Sequence, residues 1–200
     1  RYDTGHGTHV AGTIAARNNN GIGLKSIAGG DGTEDSGVRI MSCQIFAGEY
    51  VATVLDEVRA IKYAADNGAV ILQCSWGYIS SAANPYEWTP QYKDDEEWIT
   101  YNPLEKQALD YFTQTAGSPD GVIDGGIAVY AAGNESAGAA SYPGAYKDYV
   151  AVAAMAADFT PATYSNYGPG TTITAPGGDQ DYYYEFGTGT NMGAVGCILS

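Results

Sequence analysis

Two hundred residues with a hydrophobic fraction of 44%, three Trp and seventeen Tyr are enough for one globular domain with a sizeable core. Nine basic residues stand against 23 acidic ones, and the formal charge of -14 argues against nucleic acid and anionic membranes as partners, because both need positive protein surface. No apolar run is long enough to span a bilayer, so no membrane insertion is expected, and no charged-then-apolar leader opens the chain.

The first predicted element is a short helix running from His6 toward Ala16. Val10 and Ile14 form its apolar side, and Gly7 and Gly12 permit close approach of a neighbour. Asn18-Asn19-Asn20-Gly21 and Gly29-Gly30-Asp31-Gly32 are turn chemistry on either side of the apolar run 22–27. Residues 38–46 read as a buried strand around Val38, Ile40 and Ile45. Val51, Val54, Leu55, Val58, Ile61 and Ala65 recur at helical spacing, and Asn67-Gly68 supplies the stop. Residues 69–74 form a second continuous apolar strand. Strand, helix and strand with short joints predict a right-handed parallel crossover, so the class is α/β with a sheet buried on both faces.

Residues 78–103 break that rhythm with Pro85, Pro90, Pro103 and the acidic run Asp94-Asp95-Glu96-Glu97. They read as a solvated surface insertion, or else as a loop that shapes a binding cleft. Leu104, Ala108, Tyr111, Phe112 and Thr115 outline the next helix, and Ser118-Pro119-Asp120-Gly121 turns the chain. A calcium loop among Asp120 and Asp124 stays open, though two carboxylates without further oxygen ligands make no clear motif, and no other cofactor is implied. Residues 127–132 and 149–155 are two further strands, and 193–200 begin a last helix. With no repeat and no linker, residues 1–200 are expected to form a single doubly wound domain. Cys43, Cys74 and Cys197 form no CxxC pair, and the first two sit in apolar runs where a thiol behaves as a small hydrophobe.

Chemistry concentrates in a few places. His6-Gly7-Thr8-His9-Val10-Ala11-Gly12-Thr13 carries two imidazoles, and imidazole is the default general base near neutrality. No Glu follows His6 and the thiols are remote, which disfavours zinc. Asn134, in Ala131-Ala132-Gly133-Asn134-Glu135, lies just past a strand, where open α/β sheets hold their ligands. Ser75-Trp76-Gly77 also follows a strand; Trp76 is either core or a wall favouring an apolar or aromatic substrate side chain.

His6 to Thr13 closely resembles the histidine motif of the subtilisin-like serine proteases, the subtilases. The Ala131–Glu135 run, with Tyr142-Pro143-Gly144 after it, resembles their oxyanion motif, and Ser75-Trp76-Gly77 their Ser-x-Gly segment. The resemblance extends from His6 to Ser200. It implies a three-layer αβα fold with a mostly parallel sheet, truncated at both ends, since the chain opens directly against a motif. It implies endoproteolysis through an acyl-enzyme, with His6 as base and His9 structural. Asn134 would stabilise the oxyanion, and Ser75, Trp76, Gly77, Ala132 and Gly133 would line the substrate site. His6 and Asn134 are then expected to meet at one crevice. A polypeptide substrate, a monomer without cofactor, and an extracellular, periplasmic or cell-surface location follow from the same resemblance.

The nucleophile departs from the pattern. Where the family has Gly-Thr-Ser-Met-Ala, this chain has Gly189-Thr190-Asn191-Met192-Gly193, so Asn191 occupies the serine position and cannot become an alkoxide. Thr188 and Thr190 carry hydroxyls in shifted register. Asp3-Thr4-Gly5 has the letters of the family's Asp motif but abuts His6, and reads as a loop or helix-start charge. The expectation is a protease domain that is inactive as written; the alternative is a non-catalytic relative that keeps the cleft as a peptide-binding module.

Overall fold

The computed structural model describes residues 5–47, 52–79, 81–84, 87–89, 91–179 and 197–198. They fall into two compact units, one reaching to Ala60 and the other running Ile61–Ile198, with the boundary inside a helix.

In the first unit, α1 (His6–Ala15) forms where the sequence places it. It ends as Ala16 turns extended while its N–H still bonds the Gly12 carbonyl. No residue of α1 is buried. The following loop is gathered by Asn18, whose Nδ2 donates to the Gly30 carbonyl at 2.8 Å and whose Oδ1 accepts the Ser26 N–H at 2.8 Å. Residues 38–46 do not form the expected buried strand. Val38, Ile40, Met41 and Phe46 are all exposed, and no strand ladder among the described residues includes them. A continuous apolar run becomes a buried strand only where neighbours pair with it and cover it, and neither condition is met here.

Helix α2 (Val54–Asp66) starts three residues later than the apolar repeat suggested. Thr53 and Asp56 close a reciprocal cap: the Thr53 N–H and hydroxyl donate to Asp56 Oδ2 at 3.0 and 2.7 Å, and the Asp56 N–H returns to Thr53 Oγ1. Gly68, at φ +88, provides the left-handed stop.

The second unit is built on a four-stranded parallel sheet. Its strands are β1 (Ile71–Cys74), β4 (Ile127–Ala131), β5 (Val150–Met155) and β6 (Ile173–Pro176), in the order β1-β4-β5-β6. Along β4 and β5 burial alternates at Ala128, Tyr130, Ala151 and Ala153, and lapses at Met155, which is half-buried. The intervening positions of the two strands are half-buried or, at Ile127, exposed, so one face is covered more completely than the two-sided burial predicted. Both central strands end in long loops that cross back to the next parallel strand, and these loops carry the candidate site.

The insertion at 78–103 is more ordered than a solvated loop. Ser81–Asn84 (β2) and Glu87–Thr89 (β3) pair as an antiparallel hairpin, and Asp95–Tyr101 form α3. The acidic run is the start of that helix: Asp94 caps it by accepting the Glu97 N–H at 2.8 Å, and Asp95, Glu96 and Glu97 face the positive end of its dipole. One turn on, Trp98 is completely buried. It stacks on Tyr142 with ring centroids 5.6 Å apart and meets Tyr146 and Tyr149 as well. Helix α4 (Pro103–Thr115), with Pro103 in its first turn, buries Ala108, Leu109 and Phe112. The last helix, expected over 193–200, is described only at Cys197 and Ile198, where Cys197 instead forms an antiparallel bridge with Gly178. Cys43, Cys74 and Cys197 are outside any disulfide.

Candidate active site

His6 is the first residue of α1 in the first unit, exposed together with Gly7, Thr8 and His9. Among the described residues, no atom beyond its chain neighbours and the local helix backbone lies within 4 Å of where a Cβ on Gly7 would stand. Val10 and Ile14 are half-buried, as the amphipathic reading of the helix requires.

In the second unit, β4 delivers Ala132, Gly133 and Asn134 to the carboxyl end of the parallel sheet. Ala132 is buried, and its N–H continues the sheet pairing by donating to the Val152 carbonyl at 2.9 Å. Gly133 then turns the chain at φ +116, and Asn134 emerges exposed. This is the placement expected of a group that contacts a ligand.

What holds that turn was not read from the sequence. Asn166, in the loop between β5 and β6, is fully buried. Its Oδ1 accepts the N–H groups of Glu135 and Ala137 at 2.9 and 3.0 Å. Its Nδ2 donates to the Ala132 carbonyl at 3.1 Å, to Glu135 Oε2 at 2.8 Å and to Ser141 Oγ at 3.2 Å. Its own N–H donates to the Gly133 carbonyl at 3.0 Å. No periodicity or motif in one sequence separates such a hub from an ordinary turn asparagine, because its partners are remote along the chain.

The Ser75-Trp76-Gly77 segment leaves β1 beside this loop's continuation. Ser75 Oγ accepts from Gln73 Nε2 at 2.7 Å. Trp76 is half-buried and meets the Tyr130 ring edge-on at 5.4 Å, which favours the core reading of this residue. Gly77 lies against the Tyr142 carbonyl, close enough that a Cβ would come within 2.9 Å of that oxygen, and the Tyr78 N–H donates to the same carbonyl at 2.8 Å. The insertion is tied to the same residue: the Tyr142 hydroxyl donates to Asp95 Oδ1 at 2.7 Å. Tyr142 therefore links α3 to the 75–78 segment.

Beneath this lies Glu105 of α4, fully buried. Its Oε2 is within hydrogen-bond distance of the Tyr78 hydroxyl at 3.0 Å and accepts from Trp98 Nε1 at 3.1 Å, while Oε1 has no partner among the described residues. Burial pushes its carboxyl up to about 7, against the opposing effect of those two hydrogen bonds. Asp120 is engaged by the Ser118 hydroxyl and the Val122 N–H in the turn after α4. Asp3, Thr188, Thr190 and Asn191 lie outside the described residues.

The family model described as the Subtilase family (Peptidase_S8) matches residues 1–196. The chain belongs to the subtilase family. Subtilisin Savinase of Lederbergia lenta is 31% identical over 173 residues, covering 86% of this chain and 51% of that protein. Halolysin of Haloferax mediterranei is 32% identical over 175 residues, covering 88% of this chain and 27% of that protein. The chain thus spans about half the length, or less, of these subtilases. Among solved structures, the epidermin leader peptide processing serine protease of Staphylococcus aureus aligns with a TM-score of 0.64 and 23% identity, over 94% of this chain and 42% of the other. The nisin leader peptidase of Lactococcus lactis aligns at 0.62 and 24%, over 92% and 50%. Both structures bear out the fold class: a three-layer αβα subtilase fold around a parallel sheet.

Proposed function

We propose that this chain is the peptidase domain of a subtilisin-like serine endopeptidase, built to act on polypeptides, and that with Asn191 at the nucleophile position it binds peptide without forming an acyl-enzyme. His6 is the general base and Asn134 the oxyanion donor. The exposed backbone at Gly77, in the 75–77 segment, is the edge along which an extended peptide adds as a strand, and Ala132 and Gly133 line the site beside it. No cofactor enters that chemistry, and the protein works as a monomer outside the cytoplasm.

The observation that carries the reading is the exit of β4: an exposed carboxamide on a turn whose flanking residues, Gly133 and Glu135, are each bonded to Asn166. A donor aimed at the developing oxyanion acts mainly in the transition state. For subtilisin itself, loss of this donor is known to lower turnover on the order of 10²–10³-fold. An amide at position 191 leaves that donor, and the base, without a reacting hydroxyl.

The Asn191 substitution also favours a second reading, a non-catalytic relative that uses the same cleft for peptide recognition. Hydrolysis of a fluorogenic peptide library separates the two. No turnover by the chain as written, together with saturable binding of individual library peptides, fits either. Turnover regained when the family's complete serine motif replaces the segment from 189 onward within a chain that also carries an upstream Asp motif supports the peptidase. Failure of that chain supports the recognition module.

A further inference from the structure

We infer that Asn166 is the positioning residue for the oxyanion loop: its single buried carboxamide sets the conformation of residues 132–137 and so fixes where Asn134 projects. This deepens the proposed role of Asn134 and rests on it.

The argument starts from hydrogen-bonding capacity. A carboxamide offers two N–H donors and an oxygen with two lone pairs. Asn166 spends all of them on one loop and its immediate support: two backbone N–H groups on Oδ1, and Ala132, Glu135 and Ser141 sharing Nδ2. The orientation of the amide is not ambiguous, since two N–H groups require an oxygen and the Ala132 carbonyl requires a nitrogen. With the bond from its own N–H to Gly133, it touches residues 132, 133, 135 and 137, on both sides of Asn134, while Ser136 is held from Tyr164 and Thr163.

Gly133 is the complement of this arrangement. At φ +116 the backbone is in a region that L side chains rarely adopt, and a Cβ there would stand 2.2 Å from Asn166 Nδ2. The bare backbone at 133 is what lets the carboxamide lie against the turn. A buried polar group satisfied at every atom acts as a rigid template, and here the template is supplied from a separate loop, 31 residues away from Glu135. A merely structural buried asparagine would brace the sheet generally; this one braces the chain on both sides of the exposed Asn134.

The test reads the loop and not turnover, using the whole chain labelled with 15N, so failure of the peptidase reading and failure of this one are distinguishable. In Asn166→Ala, the amides of Glu135 and Ala137 should exchange with solvent about 10-fold faster, the loss expected for one net hydrogen bond. The amides of Ala128 and Tyr130 in β4 should be unchanged. The side-chain NH2 signals of Asn134 should shift and narrow as its apex is released. Asn166→Asp should behave similarly, because a carboxylate then faces the Ala132 carbonyl and Glu135. Adding Glu135→Gln should reverse part of the effect, since the new amide donates to the carboxylate at 166 and removes its contact with Glu135, while the Ala132 carbonyl still faces an oxygen. Uniform acceleration across β4, unchanged exchange at 135 and 137, unmoved Asn134 signals, or a swapped pair no better than N166D would each overturn the inference.

Discussion

Glu105→Gln should abolish a large part of the pH dependence of stability. Glu105 is fully buried on α4, and burial raises its carboxyl from an ordinary 4.5 to about 7. The fold therefore prefers the neutral acid. Its stabilising contribution is complete below the unfolded value near 4.5 and is lost as pH rises through about 7. At about 1.4 kcal/mol per pH unit, that interval corresponds to roughly 3 kcal/mol. Glutamine is uncharged, its carbonyl can take the place of Oε2 opposite Tyr78 and Trp98, and its volume matches. At pH 5 the two chains should differ by less than about 1 kcal/mol, and at pH 8 the Gln variant should be more stable by about 3 kcal/mol, on the order of 10 °C in Tm for a chain of this size. Urea unfolding at the two pH values reads this directly, with Trp98 as a local fluorophore because its Nε1–H donates to the same carboxyl. Parallel pH profiles for wild type and variant would show that Glu105 is ionised or solvated in the fold, and would refute the reasoning.

Gly133→Ala should disorder the Asn134 loop: both the positive φ and the 2.2 Å approach to Asn166 forbid the methyl, so tight packing at Asn166 must give way. A crystal structure or amide exchange at Glu135 checks it, and retention of wild-type protection would contradict it. Asp94→Ala removes the α3 cap and should destabilise by about 1 kcal/mol, with Asp94→Ser nearly neutral, as read by denaturation. An equal loss in both variants would mean that the run acts through charge and not through capping. Serine placed at Asn191 alone should give no measurable peptide hydrolysis, because one hydroxyl does not restore the remainder of the family's serine and Asp motifs; hydrolysis by that variant would locate the defect elsewhere.

Elements with a strong period were legible. Ile61 and Ala65 in α2 and Ala108 and Phe112 in α4 are buried as their spacing requires, whereas Leu55, Leu104, Tyr111 and Thr115, read onto the same faces, are exposed, and Val10 and Ile14 in α1 are half-buried. β1, β4 and β5 appear within a residue or two of their apolar runs. Residues 38–46 misled because an apolar run carries no information about whether a partner strand covers it. The Asp94–Glu97 run misled for a different reason. Four acids suggest solvent, yet they are also the composition of a helix N-terminus, and the buried Trp98 immediately after them was the available signal. Asn134 was legible as the residue after a strand, since strand ends are local. Asn166 was not, because its role consists of contacts with residues 25 to 34 positions earlier. The Tyr142 link between the insertion and the 75–78 segment is tertiary in the same sense.

Incubation of the purified chain with an excess of peptidyl phosphonate, followed by intact mass spectrometry, tests the central claim most directly. A phosphonate marks an activated serine covalently. The account predicts an unmodified mass, because Asn191 supplies no nucleophile, together with reversible binding of the corresponding unreactive peptide. A phosphonate adduct on any serine would contradict it.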